Sequence, residues 1–359
     1  MPYPIITPMF FQELTDPGNS ENADVSYLML TTPYAVEYIF TLENERVVRR
    51  LMEQKDILAY RIVSMKPEIE AEYAPKGEKL VKDRPILKHY WGIKTLTMNL
   101  LQDRRYSLEQ RMLMVNYVYR TIQAMIDKSD EVDKELPAED KQRRLDGAIA
   151  AFGQSILNAK DHNDIIKYFE EVRPNYAYSF QDGLSFLRIL RDSEDVTKLR
   201  TIVYNKAGVP VDADSFKYET EKHTAIKEAY REMFGWRPEE HNENSEAAAN
   251  AEFDRSHYME QILVNYVWSY CFPYADLGLD LWENFMFLNT LYNALKITVG
   301  CYLYESKTPD EDFVFAIKTF DKGLQELRER KFPITRLIID SIKKAGLTNN
   351  GDMAILSIS

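Results

Sequence analysis

LGLDLWENFMFLNTLYNALKITVGCYLY, residues Leu277–Tyr304, is the most apolar run of the chain, and its reading decides the fold. A membrane span needs roughly 20 predominantly apolar residues, and this run is long enough. It also carries Asp280, Glu283, Asn284, Asn289, Asn293 and Lys296. Hydrocarbon would have to bury all of these, whereas a core helix can turn them to one side. The run therefore reads as the buried central helix of a soluble body, spanning 279–304.

Helical signals continue on both sides of it. A helix over 252–271 precedes it and stops before Pro273. After it, Thr308-Pro-Asp-Glu311 combines an N-cap, proline at the first helical position and acids facing the dipole. That helix is expected to reach about Arg330, and Pro333 opens a last one ending at Gly346. The apolar tail Met353–Ile358 reads as an edge strand. Upstream, Ile86, Leu87, Tyr90, Trp91, Ile93, Leu96, Leu100 and Leu101 recur at three and four. Ser107-Leu-Glu-Gln110 forms a capping box, followed by the stripe Met112, Met114, Val115, Val118, Ile122 and Met125. A charged linker at 127–140 leads to a helix at 141–158, then shorter helices at 163–172, 180–191 and 194–204. A loop at 205–214 precedes a helix at 215–234, and 238–251 reads as a solvated low-complexity loop.

The N-terminal part has a different pattern. Pro2, Pro4, Pro8 and Pro17 mark residues 1–30 as an irregular arm. Thr32-Pro33 predicts a helix start, continuing through Tyr34–Phe40 and, after a break, Glu43–Glu53. Residues 57–73 alternate apolar and polar like a β-hairpin with Pro67 at its bend. The expected fold is mainly α, a compact multi-helix bundle with one small β-hairpin near 57–73. Residues 31–359 are read as a single helical domain behind the arm, with a weak subdivision at 127–140.

Composition agrees. Among 359 residues, 45% are hydrophobic and 28% charged, while glycine numbers only 13. That is well below the usual ~7% and argues for helices over all-β folds and phosphate-cradling loops. The 23 tyrosines and 17 phenylalanines point to an aromatic core or groove. A net charge of −12 excludes a nucleic-acid binder built on phosphate neutralisation. The cluster Lys141, Arg143 and Arg144 is balanced by Glu135, Glu139 and Asp140 and reads as a solvated helix face. The N-terminus lacks the basic and apolar regions of a secretory signal, so the expected location is cytoplasmic, away from membranes.

The residues permit few chemistries. No G-x-G-x-x-G or G-x-x-x-x-G-K-[ST] occurs, excluding standard dinucleotide and P-loop sites. His89, His162, His223, His241 and His257 lie too far apart for a paired-imidazole metal face. Asp254 and His257 form a single i, i+3 pair, where a di-iron bundle needs two such pairs and further glutamates, so no metal site is expected. Cys271 and Cys301 read as buried thiols in apolar surroundings. The run Tyr266-Val-Trp268-Ser-Tyr270-Cys-Phe272-Pro-Tyr274 suits core packing, and also a groove for a methylated or planar ligand.

Several stretches resemble the flagellin lysine-N-methylase family. Trp91-Gly-Ile-Lys through Arg104-Arg-Tyr-Ser-Leu-Glu-Gln-Arg-Met-Leu113 is similar to that family's helix pair joined by "N-R-x-x-S/P-L-E-E-R-L". Met259-Glu-Gln-Ile-Leu-Val-Asn-Tyr-Val-Trp268 is similar to "I-L-E-N-Y-L-V-Y", with Phe272-Pro-Tyr274 at an aromatic–proline turn. Glu283 through Gly300 into Phe313–Leu324 matches the family's helix order, and Leu30-Thr-Thr-Pro-Tyr-Ala-Val36 corresponds to "L-S-C-P-E-A-A". Together these cover about half the chain.

The resemblance implies methyl transfer from S-adenosylmethionine to a lysine of a protein substrate. It implies a pocket between the 91–126 pair and the 259–304 pair. Asn265, Tyr266 and Tyr270 would bind the cofactor there, and Arg104 and Arg111 would orient substrate. The family's N-terminal cysteine region, associated with an iron–sulfur cluster, has no counterpart: residues 1–90 lack cysteine, Thr32 stands at the "S-C-P" position and Val264 replaces the glutamate of "E-N-Y". No iron–sulfur cluster is expected from this chain's own thiols. A second reading is a non-catalytic helical interaction or assembly subunit, oligomerising through Tyr3, Phe10 and Phe11 of the arm. A metallo-oxidase bundle ranks last.

Overall fold

The computed structural model describes residues 3–16, 18, 25–132, 135–156, 159–190, 193–210, 220–235, 255–330 and 332–359. Among them the chain forms fifteen α-helices and a small four-stranded sheet.

The centre is α12 (Leu281–Leu303), in which every residue except Glu283 is buried. Its polar groups do not share one solvated side as expected; neighbouring helices satisfy them. Asn289 donates to Met353 O at 2.7 Å, and Asn293 donates to Ser179 O at 2.9 Å and Asp182 at 2.8 Å. Lys296 donates to Leu356 O and Ser357 O at 3.1 and 3.0 Å. Each pairing removes the desolvation penalty that an unpaired buried group would carry. Around α12 pack α5 (Leu108–Val132), α8 (Tyr176–Ile189), α9 (Glu194–Ala207), α10 (Thr220–Phe234), α13 (Pro309–Glu329), α14 (Ile334–Lys344) and α15 (Asn350–Ile358). The tail expected as an edge strand is thus a helix. Asn349 and Asp352 form a capping box at its start, and its apolar side chains enter the core. The charged 127–140 segment is largely the last turns of α5 and the first of α6 (Ala138–Ile156). Residues 238–251 lie outside the described ones.

The N-terminal part departs most from expectation. The residues read as an irregular arm supply β1 (Ile5–Pro8), α1 (Phe11–Thr15) and β2 (Tyr27–Thr31). Val36–Phe40, expected as helix, is β3. Thr32 Oγ1 does accept from Ala35 N at 3.2 Å, but that bonding closes a turn between β2 and β3. Serine and threonine offer this local bond to caps and turns alike, and the β-branched and aromatic residues that follow decide for strand. The expected hairpin at 57–73 supplies only β4 (Tyr60–Val63), since Pro67 opens α3 (Pro67–Asp83). The sheet order is β2-β3-β1-β4, with β1 parallel to β3 and antiparallel to β4. Tyr3 and Phe10, expected to dock on a neighbour, are 8% and 5% exposed inside this same molecule. Behind the sheet lie α2 (Glu45–Glu53), the 3-10 turn Pro85–His89, α4 (Tyr90–Leu101) and α11 (Ser256–Ser269).

Candidate functional site: a cleft beside the sheet

Two wide clefts flank the turn Pro85–His89, and both include Pro85 and Lys88 in their walls. The larger, about 1200 Å³, is walled by Tyr3 and Pro4 just before β1, Ile6 within it, Pro33 and Tyr34 of the β2–β3 turn, Ile62, one face of α3, and Trp91 with Gly92. Glu70, Ala74 and Glu78 recur every fourth residue on α3, which is why one helix face supplies them together. Lys82 and Lys88 also border it. The walls are tied down: Tyr34 Oη donates to Lys88 O, and Tyr3 Oη donates to Thr32 O. Tyr3 N donates to Glu70 Oε1 at 2.9 Å. The α3 wall approaches closely because Gly77 has no Cβ, which would meet the Tyr3 ring at 2.7 Å.

Behind the cleft a lysine is enclosed by rings. Lys94 and Glu37 are both 0% exposed, and Lys94 Nζ donates to Glu37 Oε2 at 2.7 Å and to Tyr90 Oη at 3.0 Å. The same ammonium lies 4.0 Å from the Trp268 ring centre. Tyr60 stacks on Trp268 at 3.8 Å, and Trp91, a cleft residue, meets Trp268 edge-on at 6.0 Å. Burial pushes the Glu37 carboxyl up, against the pull of Lys94 and of the nearby Thr32 and Tyr90 hydroxyls. Glu37 Oε1, Tyr60 Oη and Trp268 Nε1 are enclosed without a hydrogen-bond partner. An unsatisfied buried polar atom costs roughly 1–3 kcal/mol, and the enclosed hydroxyls of Tyr266 and Tyr270 in the helical core share this state.

The second cleft, about 990 Å³, opens where the end of α5 (Gln123, Ile126) faces Tyr274 and Leu277–Leu281. Of the expected pocket between the 91–126 and 259–304 pairs, this cleft takes up the α5 end; elsewhere α4 packs on α5 and α11, and α5 on α12.

The residues singled out from sequence fall into two clusters. Glu260 of α11, at 0% exposure, brings Arg104 and Arg111 together. Arg104 reaches it at 2.8 Å and Arg111 at 2.6 Å. Arg111 also donates to Leu101 O and Tyr106 O, and Arg104 to Lys55 O. Glu260 went unnoticed in the sequence, although it lies one helical turn before Val264, the position read there as a lost glutamate. The second cluster holds Asn265, Tyr266 and Tyr270. Asn265 donates to Phe40 O at 3.2 Å. Tyr266 is fully buried and close to Asp321, with no hydrogen bond of normal geometry to it. Tyr270 packs under the Arg328 guanidinium at 4.4 Å. None of these five lines either wide cleft.

His257, half of the i, i+3 pair, is buried with its Nε2 2.8 Å from Met52 O, and Asp254 lies outside the described residues. Among the described residues no group of three or more His, Cys, Asp or Glu is placed to hold a metal ion. A four-thiolate cluster does not fit this chain's cysteines: there are two, and burial pushes the Cys301 thiol up to about 12, away from the thiolate a metal needs. No described helix is long and apolar enough to cross a membrane.

The model of the FliB lysine N-methylase C-terminal domain family matches residues 94–356. No curated protein and no solved structure matches the chain. The match runs from within α4 to the last turn of α15 and takes in well over half of the residues, so the chain belongs to the FliB lysine N-methylase family.

Proposed function

We propose that the chain takes part in methyl transfer from S-adenosylmethionine to a lysine of a protein substrate, flagellin in the first instance, and that the cleft beside the sheet is its site. The observation that carries this is the cleft's lining: the rings of Trp91, Tyr34 and Tyr3, with Glu70 and Glu78 on one wall and Lys82 and Lys88 balancing their charge at the border. Aromatic faces and carboxylates attract cations, and both participants, a sulfonium and a lysine ammonium, are cationic. Volume supports the same reading, because about 1200 Å³ exceeds the usual ~300–1,000 Å³ of a one-ligand pocket. S-adenosylmethionine supplies an electrophilic methyl group when bound. The chain's part is to desolvate and align the amine, for which no acid–base triad is required. Thr32, the position of the family's cysteine, is buried in the turn whose next two residues line the cleft.

Arg104, Arg111, Asn265, Tyr266 and Tyr270 act from behind in this reading, by fixing the segments that carry the cleft. Calorimetry with S-adenosylmethionine tests it: saturable binding is expected, and none at millimolar cofactor would remove the enzymatic reading. The missing thiolate set favours a second reading, a non-catalytic interaction subunit. Retained binding of flagellin by a chain that ignores S-adenosylmethionine would select it.

A further inference from the structure

We infer that β4 is a docking edge, on which an extended, lysine-bearing segment of a protein substrate adds as a fifth strand and drops its lysine into the cleft. The inference rests on the proposed function for the identity of the side chain, and on backbone geometry for the mode of binding.

The strand order leaves β4 at one edge of the sheet. Its register with β1 pairs Ile5 with Val63, Ile6 with Ile62, Thr7 with Arg61 and Pro8 with Tyr60, and Met9 N donates to Ala59 O at 3.1 Å. In an antiparallel ladder, pairs alternate between exchanging both hydrogen bonds and exchanging none. The Met9–Ala59 bond sets the phase: Ala59, Arg61 and Val63 turn their backbone groups to β1. Tyr60 and Ile62 therefore present N–H and C=O outward. The edge is open, with Ile62 64% and Val63 36% exposed. A free edge with apolar side chains is a template for strand addition; β4 is short and carries Arg61, but no proline or bulge interrupts it.

Position and charge select the occupant. Ile62 is both the edge residue and part of the cleft wall. A side chain paired opposite Ile62 would share its face of the sheet and enter the same space, whose walls carry Trp91, Glu70 and Glu78 as well as Lys82 and Lys88. A lysine suits that position, its stem lying on Ile62 and its ammonium among rings and carboxylates. The edge is also held in place for the purpose. Gln261 donates to Gln54 O and Asp56 O at 2.9 and 2.7 Å, and Arg104, fixed by Glu260, donates to Lys55 O, so the run into β4 is pinned to α11.

The test uses the full chain and a short synthetic peptide alternating threonine and valine around a central lysine. Binding is followed by fluorescence anisotropy and by hydrogen exchange at the Tyr60 and Ile62 amides. Bound peptide is expected to slow exchange at both amides. Ile62→Pro should weaken binding about tenfold, as should methylation of alternate peptide nitrogens. Because the Ile62 N–H faces outward, proline there leaves the β1 ladder intact. Failure of the peptide to bind, binding without protection at these amides, or equal affinity for Ile62→Pro would each overturn the inference. So would a dimer of the wild-type chain that Ile62→Pro converts to monomer, since the edge would then serve a second copy. A parallel assay with N-acetyl-lysine methylamide, too small to form a strand, separates the two readings. Methyl transfer to it with no strand protection would sink only the docking edge. Strand protection with no transfer to any substrate would sink only the methylase reading.

Discussion

The rings of α11 and the rings around the sheet make a direct comparison. Tyr266 and Tyr270 are 0% and 7% exposed, pressed between β3, α12 and α13, with their hydroxyls enclosed and unpartnered. Tyr34 and Trp91 stand at the wall of a cleft, and Trp91 meets the α11 core through its edge contact with Trp268. Both regions are rich in aromatic side chains, and the difference lies in what faces them. Helix α11 is covered on every side, so its rings fill volume and fix the helix. Around the sheet, α3 stands off from the α4 entry, so the same ring types line open space with carboxylates beside them. The family match covers the packed region and begins at Lys94, just past the cleft's last wall residue. The matched helices thus hold the packed core and the second cleft, while the segment before them supplies the walls of the cleft beside the sheet.

Variants can break that division, starting with the scaffold. Glu260→Gln leaves the guanidiniums of Arg104 and Arg111 without their shared carboxylate, and Arg111 is only 2% exposed. Removing one partner of a buried ion pair costs about 3–5 kcal/mol. Chemical denaturation should show a loss of that size; a change below about 1 kcal/mol would mean the cluster is not structural.

Asp321 gives the next largest effect, through pH. It accepts from Leu42 N at 2.6 Å, and burial pushes its carboxyl up to about 6 from 3.8. The folded state thus holds a proton that the unfolded chain releases between those values. This group's contribution rises as pH falls through about 6 and is complete below about 4. Relative to Asp321→Asn, the wild-type protein should gain on the order of 2–3 kcal/mol between pH 7 and pH 4. Parallel unfolding curves for the two across that range would contradict the buried assignment.

On the cleft side, Gly77→Ala places a methyl group against Tyr3 and the Pro33 carbonyl, at 2.7 and 2.9 Å. The backbone partner cannot yield, so α3 should shift, at about 1–3 kcal/mol. Its effect on peptide or cofactor binding should exceed its effect on unfolding. An equal effect on both would weaken the separation of cleft from scaffold.

Much of this arrangement was legible in the sequence. The central helix and the Ser107–Gln110 capping box follow from periodicity and capping chemistry, which are local; the start at Pro309 follows from the proline and the acidic first turn, since the Thr308 side chain makes no cap bond. The sheet was not legible. Its strands are four or five residues long and pair across wide separations, as Ile5 does with Val36 and Val63, and Thr32-Pro33 offers the same local bonds to a turn as to a helix start. The proposed cleft was hidden for the same reason. Tyr3, Tyr34, Ile62, Glu70 and Trp91 are scattered along the chain and meet only once the sheet and α3 are assembled. The family resemblance points to Arg104 and Arg111, but nothing in their spacing announces Glu260 as the group between them.

The most direct test of the account compares one residue from each region. S-adenosylmethionine binding is measured by calorimetry for the wild-type chain, Trp91→Ala and Tyr270→Phe. The account predicts that Trp91→Ala weakens binding about tenfold, the loss of one cation–π face, and that Tyr270→Phe binds like wild type. Binding that survives Trp91→Ala and fails in Tyr270→Phe would place the site in the α11 core and contradict it.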